Sequence, residues 1–235
     1  MKNIFIASTS TTHGSNYLDY ILKDLNIFFK EINTILFIPY ARPDGISHDT
    51  YTKKVQEAFL KIKKDVIGIH TFENPSLAIE EAEAIFVGGG NTFVLLNQLY
   101  KNNVLSVLKD SISKGTPYLG TSAGSNICGL SIKTTNDMPI VYPPNFNALG
   151  LVPFNINPHY LDTIKNLKHM GETRETRIKE FHCYNTQPVI GLREGSWLHV
   201  KGDSIVLKGP LTARIFEYQK TPYEVKPETE LNTLK

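Results

Sequence analysis

The chain has 235 residues, 41% of them hydrophobic, enough to bury a full core in one large α/β domain. Its formal net charge is +2, with Lys and Arg scattered along the chain, which argues against a nucleic-acid surface, and no apolar run approaches the roughly 20 residues of a membrane span. The two cysteines, Cys128 and Cys183, make neither a disulfide framework nor a metal-ligand spacing.

The first apolar run, residues 4–7, is shorter than the roughly 7–15-residue core of a secretion signal and reads as a first strand, so a cytoplasmic location is expected. Further apolar runs at 35–39, 66–69, 84–87 and 118–120 read as short buried strands. Between them lie helical patterns at 16–29, 48–62, 77–83 and 92–114, the last broken near Asn102 and Asn103. In the first helix Leu18, Ile21, Leu22, Leu25 and Phe28 recur at helical spacing and mark one buried face. This alternation predicts a single three-layer α/β domain, a mostly parallel sheet with helices on both faces. In such sheets reactive groups gather outside the carboxyl ends of the strands.

The second half is less regular. Prolines punctuate a long connection from Ser131 to His159, expected to wrap the site. A helix at 173–184 follows, then strands at 189–192, 197–200, 204–207 and 213–217, expected as antiparallel additions to the sheet. The polar stretch 226–235 reads as a frayed tail.

The run Gly120-Thr121-Ser122-Ala123-Gly124 sits between a strand and a potential helix. Small residues there permit the sharp turn of a nucleophile elbow, with the Ser122 hydroxyl at its apex. A serine needs a base, usually a histidine oriented by a carboxylate. Of seven histidines, His159 stands out, held in the proline-set turn Asn157-Pro158-His159-Tyr160. Asp137 and Glu194 are the candidate orienting acids. For an oxyanion, the N–H of Ala123 and the bare backbone of Gly88-Gly89-Gly90 after the fourth strand are the candidate donors, with Asn91 or Thr92 capping the next helix. Neither nucleotide-binding glycine pattern is present at that loop.

Together, Val87-Gly88-Gly89-Gly90-Asn91-Thr92-Phe93, the elbow, Thr134-Thr135-Asn136-Asp137-Met138-Pro139, Asn157-Pro158-His159-Tyr160, Gly171-Glu172-Thr173-Arg174 and Gly191-Leu192-Arg193-Glu194-Gly195 occur in the order found in the peptidase E family, which the chain resembles. The resemblance implies a fold like that of class I glutamine amidotransferases. It also implies a serine peptidase that removes N-terminal aspartate from Asp-X dipeptides, without metal or organic cofactor. On it, Ser122 is the nucleophile and His159 the base, with Glu194 favoured over Asp137 as orienting acid. Gly89 joins Ala123 at the oxyanion. Arg174 takes the aspartyl side chain, and Asp137 and Asn91 are the other substrate-binding candidates. A cyanophycinase-like peptidase, an esterase using the same elbow and an inactive aspartyl-peptide-binding protein are the competing readings. A cysteine-dependent glutamine amidotransferase is disfavoured by Ser122.

Overall fold

The computed structural model describes residues 1–162 and 171–234. Its main sheet has seven strands in the order β3-β2-β4-β5-β1-β8-β9. Five of them, β1 (Asn3–Ala7), β2 (Thr34–Ile38), β3 (Asp65–Gly68), β4 (Ile85–Val87) and β5 (Tyr118–Thr121), are parallel. The strands β8 (Trp197–Lys201) and β9 (Ser204–Lys208) extend the sheet antiparallel beyond β1.

Strand alternation divides β1 between two cores. Ile4 and Ile6 face a cluster that includes α3 (Pro75–Glu80), α4 (Thr92–Lys101) and α5 (Leu105–Lys114). Phe5 and Ala7 face a second cluster with α1 (Leu22–Phe28) and α2 (His48–Leu60). The expected three layers follow from this period-2 split. Helix starts follow local chemistry. The side chains of Ser47, Asn74 and Asn91 accept the backbone N–H of Thr50, Leu77 and Val94, satisfying donors that the first helical turn leaves free. The expected first helix instead begins as a 3-10 turn, Asp19–Ile21, because Leu18 takes a left-handed φ of 61° that interrupts regular winding. The break near Asn102 and Asn103 forms as expected, with Asn103 at φ 54°.

The second half departs from expectation. β7 (Val189–Leu192) and β10 (Ala213–Phe216) do not join the main sheet. They form a separate four-stranded sheet, β11-β10-β7-β6, with β11 (Tyr223–Val225) and β6 (Asn155–Pro158). β6 lies in the stretch read as loop, and its two asparagines and closing proline hide it from propensity. It pairs parallel to β7, Pro158 opposite Leu192. The helix α7 (Arg174–Phe181), capped by Thr173, packs Ile178 against Tyr160, Val189 and Phe216 of this sheet. His169, one of the seven histidines considered, lies outside the described residues.

The tail, expected to fray, pairs with the edge of β9. Leu207 N–H donates to Thr229 O at 3.1 Å and Leu231 N–H to Ile205 O at 2.8 Å. Leu231 and Leu234 are 2% and 4% exposed and join the larger core. Two leucines in a polar stretch carry too little pattern to read in sequence, yet here they seal an otherwise open strand edge. Leu231→Ala should therefore cost about 2–4 kcal/mol, measured as a shift in urea midpoint; an unchanged midpoint would contradict the packing.

Candidate active site

The carboxyl ends of neighbouring strands β4, β5 and β1 and of the parallel pair β6 and β7 converge at one place. Ser122 follows β5 and caps the one-turn helix α6 (Ala123–Asn126) at φ 55°, ψ −110°, a sparsely populated conformation for a non-glycine residue. Its flanking glycines are required by close approach. A Cβ on Gly120 would meet Gly124 O at 2.5 Å, and one on Gly124 would collide with Val87 O. The elbow is also pinned from below. Ser122 N–H donates to Ala7 O at 3.2 Å, and the buried Ser125 hydroxyl lies 2.6 Å from Ala7 O and 2.8 Å from Gly120 O.

His159 follows β6 at φ 53°. Its Nε2 lies 2.8 Å from Ser122 Oγ, and its Nδ1 lies 2.6 Å from Glu194 Oε1. A carboxylate can only accept, so Nδ1 carries the proton and Nε2 presents a lone pair to the serine hydroxyl. The register of β6 and β7 explains the second contact. Because Pro158 pairs with Leu192, His159 and Arg193 leave the ladder together, and Glu194 is the next residue.

Asp137 stands elsewhere. Its Oδ2 accepts Thr92 N–H at 2.7 Å and the Thr135 hydroxyl at 3.1 Å, at the start of α4. Asn136 ties this segment to the histidine strand, donating to Pro158 O at 2.7 Å and accepting from Asn157 Nδ2 at 2.7 Å. Both polar atoms of the Asn91 side chain are engaged, Oδ1 in the α4 cap and Nδ2 on Met138 O at 2.9 Å. Asn91, a substrate-binding candidate, thus also ties the Asp137 loop to the start of α4. Arg174, half-buried at the start of α7, has no ion-pair partner among the described residues. Burial, and then nearby Arg177, lower its pKa, while Asp137 acts in the opposite direction.

Gly89 faces the serine so closely that a Cβ would meet Ser122 Cβ at 2.9 Å. Its carbonyl is turned away to accept the Tyr51 hydroxyl at 3.2 Å. Among the described residues the N–H groups of Gly89 and Ala123 have no acceptor. No group of three or more His, Cys, Asp or Glu suited to a metal occurs among those residues. The other described histidines point to other work; His70 pairs with Asp49, and His182 with Gln187 O.

Two residues that the sequence did not single out support the site. Ser8, at the end of β1 and fully buried, accepts His159 N–H at 2.9 Å and donates to Leu192 O at 2.7 Å. Arg193 reaches Asp162 with two nitrogens, at 2.6 and 2.8 Å, and Glu224 with two, at 2.8 and 3.0 Å, so it clamps the segment after His159 to the second sheet. Ser8 has no sequence signal, since a single serine after a strand is unremarkable until the strands are placed; Arg193 lies inside the Gly191–Gly195 motif, which says nothing of its partners.

Burial opposes the charge of Glu224, but Arg193, Thr212 and Arg214 outweigh it and hold its carboxyl down at about 2. The folded value lies below the unfolded value of about 4.3, so this contribution is complete above about pH 4.3 and lost as pH falls through about 2. Urea unfolding between pH 5 and 2 should show a shallower acid loss in Glu224→Gln than in the wild type; parallel profiles would refute the linkage.

Comparison with known proteins agrees with this geometry. The model of the family described as peptidase family S51 matches residues 4–208. A protein named peptidase E from Streptomyces coelicolor is 47% identical over 232 residues, covering 99% of this chain and 94% of the relative. One named probable alpha-aspartyl dipeptidase from Drosophila melanogaster is 45% identical over 236 residues, covering 99% and 97%. A solved peptidase from an acI-B1 Actinobacterium superposes with TM-score 0.72 at 13% identity, covering 98% of this chain and 96% of that one, a likeness of fold alone.

Proposed function

The chain belongs to peptidase family S51, and from that premise we propose that it is a serine dipeptidase that hydrolyses Asp-X dipeptides after their N-terminal aspartate. The observation that carries the mechanism is the continuous line Ser122 Oγ, His159, Glu194, with separations of 2.8 and 2.6 Å. His159 Nε2 takes the hydroxyl proton as Ser122 Oγ attacks the scissile carbonyl. Glu194 holds the imidazole in the required tautomer and stabilises the imidazolium. The unpartnered N–H groups of Ala123 and Gly89 receive the oxyanion, each worth about 3 kcal/mol in the transition state. His159 then protonates the leaving amine. Water, activated by the same imidazole, releases aspartate from the acyl-enzyme.

Charge supports the specificity. Arg174 is a half-buried cation without an acid partner among the described residues, suited to the aspartyl carboxylate in a two-pronged geometry. Asp137 is the acid that acts on it electrostatically, and its other carboxylate oxygen is suited to the substrate's α-ammonium. Blocking that amine would leave Asp137 facing an uncharged group and remove the charge complement. A cytoplasmic location belongs to this reading, supported by two free thiols, Cys128 buried and Cys183 exposed. No helix among the described residues is long and apolar enough to cross a membrane.

Amino-acid release from Asp-Leu, Ala-Leu and N-acetyl-Asp-Leu tests the proposal. Only Asp-Leu should release aspartate, and Ser122→Ala should lower kcat by about 10,000-fold or more. Binding of Asp-Leu without turnover would support the inactive-binder reading instead. Glu194→Gln should lower kcat by roughly 100-fold or more with little change in KM, while Asp137→Asn should mainly raise KM. Arg174→Leu should lose the preference for Asp-Leu over Ala-Leu; equal discrimination by mutant and wild type would rule out its role.

A further inference from the structure

The histidine's backbone is as unusual as its side chain. At φ 53° His159 has left the β6–β7 ladder, so its N–H cannot bond to β7. The neighbouring Tyr160 N–H returns to the ladder, donating to Leu192 O at 3.1 Å. The one group that satisfies His159 N–H is the hydroxyl of Ser8, which comes from β1 of the other sheet, 151 residues away. That hydroxyl has a single proton, and Leu192 O at 2.7 Å takes it. The Ser8 oxygen therefore presents lone pairs to His159 by necessity. Ser8 N–H in turn donates to Ser196 O at 3.0 Å, so the serine is itself held from both sides. Its relative exposure is 0%.

We infer that Ser8 is a positioning residue of the catalytic site, holding the His159 backbone in its left-handed conformation so that the imidazole reaches Ser122 and Glu194 together. The inference rests on the proposed Ser122–His159–Glu194 mechanism. Three strand ends meet at this one hydroxyl: β1 supplies it, β6 delivers the N–H it accepts, and β7 offers the carbonyl it donates to. Relaxation of φ at His159 swings the ring as a lever about its Cα. A shift of an ångström at Nε2 is enough to break the alignment with Ser122 and with the scissile carbonyl. Because Ser8 touches neither substrate nor the reacting atoms, it acts through His159 alone. Alanine cannot substitute, since it removes the acceptor and leaves the His159 N–H without its protein partner.

The test is steady-state hydrolysis of Asp-Leu by the full-length wild type, Ser8→Ala, Ser8→Cys, His159→Ala and the Ser8→Ala/His159→Ala double variant. Circular dichroism and thermal melting check the fold. Ser8→Ala is expected to lower kcat by about 10- to 100-fold with KM changed by less than about 3-fold. Ser8→Cys keeps the volume but accepts poorly, and should show the same split, so it carries the test if Ser8→Ala does not fold. In the His159→Ala background Ser8→Ala should change the residual rate no further, whereas a general structural defect would add. The low-field proton signal of the short His159 Nδ1–H to Glu194 bond should weaken or shift in both Ser8 variants. Wild-type kcat and an unchanged low-field signal in the Ser8 variants, with His159→Ala inactive, would overturn the role of Ser8 alone. Wild-type turnover by His159→Ala would instead overturn the mechanism on which it rests.

Discussion

The site depends on the parallel pairing of β6 with β7 and on the seam where that pair meets the end of β1. Ser122 follows a strand of one sheet, while His159 and Glu194 follow strands of the other. A hydrogen bond tolerates a few tenths of an ångström, so two independently hinged sheets could not keep Ser122 and His159 at 2.8 Å. The seam removes that freedom. Asn126, just after the elbow, donates to Ile156 O of β6 at 2.7 Å, and Ser8 bonds to both His159 and Leu192. Those bonds bring β1, β5, β6 and β7 into register at their carboxyl ends.

Ser122 and His159 both have positive φ without being glycine. Each such residue costs on the order of 1–3 kcal/mol and persists only where its surroundings leave no alternative. Around Ser122 the surroundings are two glycine contacts and two strand-end hydrogen bonds, one from its own N–H and one from the single proton of the Ser125 hydroxyl. Around His159 they are Ser8 on the backbone and Glu194 on the ring. Strain is thus concentrated where orientation matters, on a framework whose cores are otherwise ordinary aliphatic and aromatic packing.

Charge is divided in the same way. Arg193, Arg214 and Lys179 form a network with Glu224, Glu175 and Asp162, three cations to three acids, in which each arginine has two acids. This network locks the second sheet and α7 without presenting unmatched charge. Arg174, beside Glu175 on the same helix, is left out of it, as is one oxygen of Asp137.

The sequence alone determined what depends on local order. The alternation of apolar runs with helical patterns specifies β1 to β5 and α2 to α5, because strand and helix periods are read within a few residues. The elbow is legible for the same reason, since Gly120 and Gly124 are demanded by contacts within and just beside one turn. The motif order singled out Ser122, His159 and Glu194, three side chains linked in the fold by contacts of hydrogen-bonding distance. Tertiary structure decided the rest. Which acid faces His159 follows from the register of Pro158 with Leu192, a pairing between segments more than thirty residues apart. Asn91 turned inward because the Asp137 loop lies beside its helix, and the tail folded because the edge of β9 needed a partner. Ser8 had no sequence signal at all. Its importance is a matter of where three strands end, and a hydrogen bond across 151 residues exists only once the two sheets have met.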